Sequence, residues 1–202
     1  MKIQRTTLQA LNSAQKPWGL QAKSAALTFI DQWIDQKCKN RNLIVITLRN
    51  SPNCPKRNST IAEWGKFAKS CDLSSYFIVF ALDTDTVLRG VPKELESFTL
   101  FDAACWNLDI RMALYQRAYL NLFTSGGPPF LCILNDQCRY LYFKILADEP
   151  AARKSDIVAQ GFLIGHTPSW TSPFQKWIWE EDSFEVIKKE FDQMCKKISD
   201  SI

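Results

Sequence analysis

Leu43-Ile44-Val45-Ile46-Thr47-Leu48, then Arg49-Asn50-Ser51-Pro52-Asn53-Cys54-Pro55-Lys56-Arg57-Asn58-Ser59-Thr60, then Ile61-Ala62-Glu63-Trp64 is the stretch that decides the fold class. Its opening run is apolar and rich in β-branched side chains, as a strand buried on both faces requires. The polar run after it carries Arg49, Lys56 and Arg57. Thr60-x-x-Glu63 is a capping-box pattern and predicts a helix from about Ile61 to Ser70. Tyr76–Leu82 reads as a second buried strand, ending at Asp83-Thr84-Asp85-Thr86. Strand, helix and strand within about 40 residues make a βαβ unit, whose two strands are parallel neighbours.

Working outward, Ala22, Ala26, Phe29, Ile30, Trp33 and Ile34 recur at helical spacing and predict an amphipathic helix over about Leu20–Lys37. Residues 1–18 are polar and read as an N-terminal arm. Downstream, an extended piece is expected near Phe98–Phe101, and a long helix over roughly Asp109–Thr124 that is apolar nearly all round. Phe130–Leu134 and Arg139–Leu146 flank Asn135-Asp136-Gln137-Cys138 and read as a β-hairpin, which would make the sheet mixed. A weak helix over Asp156–Gly161, a short strand at Trp177-Ile178-Trp179 and a terminal helix over Ser183–Ile198 complete the chain, with Ser183 as N-cap. The expected architecture is a three-layer, Rossmann-like α/β domain over 19–202, with a mixed, mostly parallel sheet and a C-terminal helix.

Composition removes several classes. A formal charge of +4 arises from 25 basic and 21 acidic residues with no polybasic block, which does not suit a nucleic-acid partner. The 7 cysteines are irregularly spaced with no Cys-x-x-Cys pair, and His166 is the one histidine, so no metal site is expected. Reduced thiols in a cytoplasmic protein are the expected state. The first residues lack the apolar stretch of a signal peptide, and no apolar run approaches the roughly 20 residues of a transmembrane segment.

The candidate binding residues are Arg49, Lys56, Arg57, Asn58, Ser59 and Thr60. A helix start offers unpaired N–H groups and partial positive charge, and guanidinium groups add bidentate reach to phosphate oxygens. The plainer alternative is a solvated loop in which Ser59 or Thr60 only caps a helix. Asp83, at the end of the neighbouring strand, is a candidate base or hydroxyl contact; a simple Asx-turn is the alternative, above all for Asp85. Ser125-Gly126-Gly127-Pro128-Pro129 falls after the expected long helix, so Gly126 reads as its C-cap, leaving Ser125 to donate one hydrogen bond to a ligand. Arg111, within that apolar helix, is a further ligand candidate, against a snorkelling or buried structural role. His166, in a turn-rich loop, is the second candidate base, against a surface or packing role.

The succession Ile46-Thr47-Leu48-Arg49, Arg57-Asn58-Ser59 with Trp64, Asp83-Thr84, Arg111-Met112-Ala113-Leu114-Tyr115 and Ser125-Gly126-Gly127-Pro128 resembles largely uncharacterised proteins found among bacterial surface-polysaccharide functions. Over roughly 40–182 it is also similar in layout to the donor-binding half of two-domain (GT-B type) glycosyltransferases, including fucosyltransferase-like ones. The resemblance implies a nucleoside diphosphate sugar as donor ligand, with no other cofactor. It implies that Arg49 neutralises the diphosphate and that Asp83 contacts the nucleoside. Thr47 and Asn50-Ser51 stand where the fucosyltransferase pattern carries a histidine before the arginine and an acidic residue after it. Sugar transfer in surface-polysaccharide synthesis would follow, with the base drawn from Asp83, His166 or a partner chain supplying an acceptor domain. The alternative is a non-catalytic nucleotide-binding or protein-interaction module, the remnant of a longer enzyme.

Overall fold

The computed structural model describes residues 19–201; the proposed arm at 1–18 lies outside them. In chain order the main elements begin with α1 (Ser24–Lys37), β1 (Asn42–Thr47), α2 (Ile61–Ser70), β2 (Tyr76–Ala81), α3 (Thr84–Arg89) and β3 (Thr99–Leu100). They continue with α4 (Ala103–Trp106), α5 (Leu108–Arg117), β4 (Leu120–Thr124), α6 (Phe130–Ile133) and β5 (Tyr140–Phe143). The last are α7 (Lys154–Ala159), β6 (Gln175–Trp177) and α8 (Phe184–Ser199).

The strands form one six-stranded sheet in the order β3-β2-β1-β4-β5-β6, and every pairing is parallel. The expected βαβ unit is present, with Leu43 opposite Phe77 and Thr47 opposite Ala81. Alternate residues of β1 feed opposite faces. Leu43 and Val45 join a core with Ala26 and Ile30 of α1, Leu114 of α5 and Ile157 of α7. Ile44 and Ile46 join one with Trp64 and Phe67 of α2 and Ile187 and Phe191 of α8. Burial on both faces is why this strand is apolar without interruption. The result is a Rossmann-like three-layer fold with α8 as its C-terminal helix.

Two sequence expectations are corrected. The helix expected over Asp109–Thr124 ends at Arg117, and Leu120–Thr124 is instead β4, an inner strand. Ala118 turns extended (φ −63°, ψ 137°). The Asn121 amide then donates to the carbonyls of Tyr115 and Arg139, at 2.9 and 3.1 Å, holding the new strand beneath the helix end. The expected hairpin is also absent, so the sheet is wholly parallel rather than mixed. Pro128-Pro129 suits a helical start, Pro129 sits at φ −54°, ψ −25°, and Phe130–Ile133 forms one helical turn. That turn belongs to the connection that brings β5 back parallel to β4.

The capping box at Thr60 also resolves differently. Helix α2 begins at Ile61 as expected, but the Thr60 side chain makes no cap; its hydroxyl donates to Asp182 Oδ1 at 2.8 Å. Glu63 Oε2 instead accepts from Phe184 N–H at 2.8 Å, tying α2 to the start of α8. The expected N-cap of α8 is in place, Ser183 Oγ accepting from Val186 N–H.

Candidate functional site

In this strand order the chain leaves β1 toward β2 and β3 on one side, while β4, β5 and β6 lie on the other. The carboxyl ends of β1 and β4 flank the point of reversal, where open α/β sheets place ligands. A cleft of about 640 Å³ opens there, within the range usual for small-molecule sites. Arg49 and Arg57 reach it from the loop after β1, and Ser125, Gly126 and Gly127 from the end of β4. Arg153, just before α7, lines it too, and Tyr142, Phe162 and Trp177 supply an aromatic wall.

The β1 loop is stitched to the end of β4. Ser59 is buried; its hydroxyl accepts from Arg49 N–H at 2.9 Å and lies 2.6 Å from the Thr124 hydroxyl, while Ser59 N–H donates to Arg49 O at 3.0 Å. Asn58 braces the same loop through both of its amide atoms: Oδ1 accepts from Ser51 N–H and Nδ2 donates to Ser51 O. Arg57 Nη2 donates to Ser125 Oγ at 3.0 Å, bridging the two strand ends. The Nε atoms of Arg49 and Arg57 are buried and have no partner. A buried donor left unpaired costs about 1–3 kcal/mol and more when charged, and both residues line the cleft. Burial raises the pKa of the Tyr142 phenol, against smaller opposing effects of Ser125 and Arg57, so this wall stays neutral at physiological pH.

The start of α2 is closed. Asp182, from the segment between β6 and α8, accepts from Thr60 N–H at 2.7 Å and from Trp64 Nε1–H at 2.8 Å, and Lys144 Nζ lies 3.4 Å from its Oδ1. The anion attracted by this helix start is therefore the protein's own carboxylate. Lys56 is exposed and pairs with Asp148 at 3.2 Å.

The remaining sequence-predicted residues fall away from the cleft. Asp83 is the N-cap residue of α3, and its Oδ2 accepts from Asn50 N–H at 3.0 Å. His166 is exposed, and its backbone carbonyl accepts from Trp179 Nε1–H. Arg111 is buried, donating to the carbonyls of Ala104 (2.6 Å) and Leu82 (3.2 Å) and to the Tyr115 hydroxyl (3.0 Å). Tyr115, whose phenol burial pushes up to about 12, passes that network on to Thr47 at 2.8 Å. Arg111 thus braces the ends of β1 and β2 from within. Sequence reasoning missed Arg153, Tyr142 and Asp182, and it set Gly126-Gly127 after a helix when they follow a strand. Correct placement of β5 would have found Tyr142, near its carboxyl end, whereas Arg153 stands well beyond that strand, just before α7. Among the described residues no group of three or more His, Cys, Asp or Glu side chains gathers to hold a metal ion.

The parallel Rossmann-like sheet has a counterpart of the same fold among solved structures. The chain is similar to the crystal structure of a glycosyl transferase family 9 protein from Veillonella parvula DSM 2008, with a TM-score of 0.59 and 12% sequence identity. The match covers 90% of this chain but 55% of that one, so the likeness is of fold and spans about half of the longer protein. No protein-family model matches the chain, and no curated protein is significantly similar to it in sequence. Among the described residues no helix is long and apolar enough to cross a membrane.

Proposed function

We propose that the chain is a sugar-nucleotide-binding, glycosyltransferase-like protein whose cleft takes the diphosphate of a nucleoside diphosphate sugar between Arg49 and Arg57. The observation that carries this reading is the pair of buried, unpartnered Nε–H donors at the switch point of the sheet. Ser125 and the open backbone at Gly126-Gly127 let an oxyanion approach closely, and the aromatic wall offers apolar surface for the ring system of the ligand. In sugar transfer the arginines would stabilise charge as it accumulates on the departing diphosphate, which is where fixed donors are worth most. Asp83 and His166 lie outside the cleft lining, so the proposal assigns the base and the acceptor site to a partner chain.

A thermal-shift screen of nucleoside diphosphates and their sugars tests the binding reading. The melting temperature rises with at least one of them and not with the matching nucleosides, and the rise disappears in Arg49→Ala. A well-folded protein that responds to none of them overturns the proposal in favour of a protein-interaction module.

A further inference from the structure

The segment between β5 and α7 reaches across the mouth of the cleft toward the β1 loop. Asp148 Oδ2 accepts from Lys56 Nζ at 3.2 Å, and Asp148 Oδ1 accepts from Arg153 Nε at 3.3 Å. Pro150 O accepts from Arg57 Nη1 at 3.4 Å. One carboxylate is thus shared by two cations, one of which lines the cleft, at a rim that also includes Arg57. The crossing rests on a backbone in unfavourable conformations. Lys144, at the end of β5, has φ 49° and Ala151 has φ 66°, both in the left-handed region that non-glycine residues enter at a cost. The ion pairs that close it stand in water, the side chains of Lys56, Asp148 and Arg153 being 61%, 76% and 53% exposed. Contacts of that kind exchange readily for a better partner.

We propose that residues 148–153 form a strap in which the Asp148 carboxylate stands in for a ligand phosphate, holding Lys56 and Arg153 until a diphosphate displaces it. This rests on the anion-binding reading of the cleft and deepens it: Arg153 becomes a third phosphate-binding residue, and Asp148 an internal competitor of the ligand. On displacement, Arg153 keeps its position on the cleft wall and turns its freed Nε–H to the phosphate, while Lys56 follows as a mobile point charge. One left-handed residue, Lys144, precedes the strap, and the other, Ala151, lies within it. A doubly charged phosphate group outcompetes a single carboxylate for the same cations because its charge is larger and it offers three acceptor oxygens.

Isothermal titration with inorganic pyrophosphate tests this in four proteins: the unaltered chain, Asp148→Asn, Arg153→Gln and the double variant. Asp148→Asn removes the competing charge and keeps the shape, so affinity rises about two- to fivefold. Arg153→Gln lowers affinity about fivefold or more, and in its background Asp148→Asn gains less than twofold, because one of the released cations is gone. If pyrophosphate binds all four proteins and Asp148→Asn is indistinguishable from the unaltered chain, the strap is wrong and the arginine cleft stands. If the two effects simply add, Asp148 and Arg153 act independently and the competition is refuted. If pyrophosphate binds none of the four folded proteins, the anion site itself is refuted and the strap with it.

Discussion

Replacing Asp182 by Asn changes one atom in the least accessible carboxylate of the site region. The side chain is 0% exposed and accepts from Thr60 N–H (2.7 Å), Thr60 Oγ (2.8 Å) and Trp64 Nε1–H (2.8 Å), with Lys144 Nζ at 3.4 Å. All four neighbours are donors, and an amide can accept on one oxygen only. With its oxygen at the Oδ2 position the amide still accepts from Thr60 and Trp64 N–H, but its NH2 group then faces the Thr60 hydroxyl, which must turn to accept, and the Lys144 ammonium, which cannot accept and loses its counter-charge. Removing the charged member of a buried set of this kind costs about 3–5 kcal/mol. For a chain of this length each kcal/mol moves the melting temperature by about 2–4 °C, so the expected drop is about 6–20 °C. Differential scanning fluorimetry reads this directly, with Asp148→Asn as an exposed control shifting by less than about 2 °C. A shift in Asp182→Asn as small as in the control would refute the claim that this carboxylate seals the start of α2 and holds the β1 loop in place.

Three further outcomes are expected. Burial pushes the Cys71 thiol up to about 12 and those of Cys38 and Cys195 to about 11, from 9.0. Between 9.0 and those values the unfolded chain has released protons that the folded one keeps, so stability falls as pH rises. A urea midpoint at about pH 10.5 as high as that at about pH 8 would contradict this. Gly65→Ala places a Cβ 2.9 Å from Glu94 Cβ and 3.0 Å from its carbonyl oxygen; overpacking of this kind costs about 1–3 kcal/mol, and an unchanged urea midpoint would show that the Glu94 turn yields freely. Arg57→Gln removes a charge-assisted donor worth about 1.5–3 kcal/mol and should weaken pyrophosphate roughly 10–100-fold, whereas Lys69→Gln, at the far end of α2, should change it less than about twofold; equal effects would remove Arg57 from the site.

The first half of the sheet was legible because its signals are local. Ile44 and Ile46 alternate with Val45 between two apolar layers, and the helix between β1 and β2 shows its periodicity within ten residues. The second half was not. Met112 to Phe123 is apolar nearly all round, so a helix and an inner strand give much the same pattern, and the break at Ala118 carries no glycine or proline to mark it. That single misreading carried Gly126-Gly127 to a helix end and hid the carboxyl edge of β4. The cationic loop was visible as Arg49, Lys56 and Arg57, yet its closure was not. Asp182 lies 122 residues from Thr60 in sequence, and Asp148 lies 92 from Lys56; pairings at that separation leave no local trace. Arg111 was visible as an anomaly in an apolar helix, but only its carbonyl partners reveal it as a brace rather than a ligand contact.

A crystal structure of the chain with a nucleoside diphosphate soaked to saturation tests the central claim most directly. The account predicts two phosphate peaks over the carboxyl ends of β1 and β4, within hydrogen-bonding distance of the Arg49 and Arg57 guanidinium groups, with the nucleoside toward Tyr142 and Trp177. Phosphate density over β2 beside Asp83, or an ordered protein whose cleft holds only water, would contradict it.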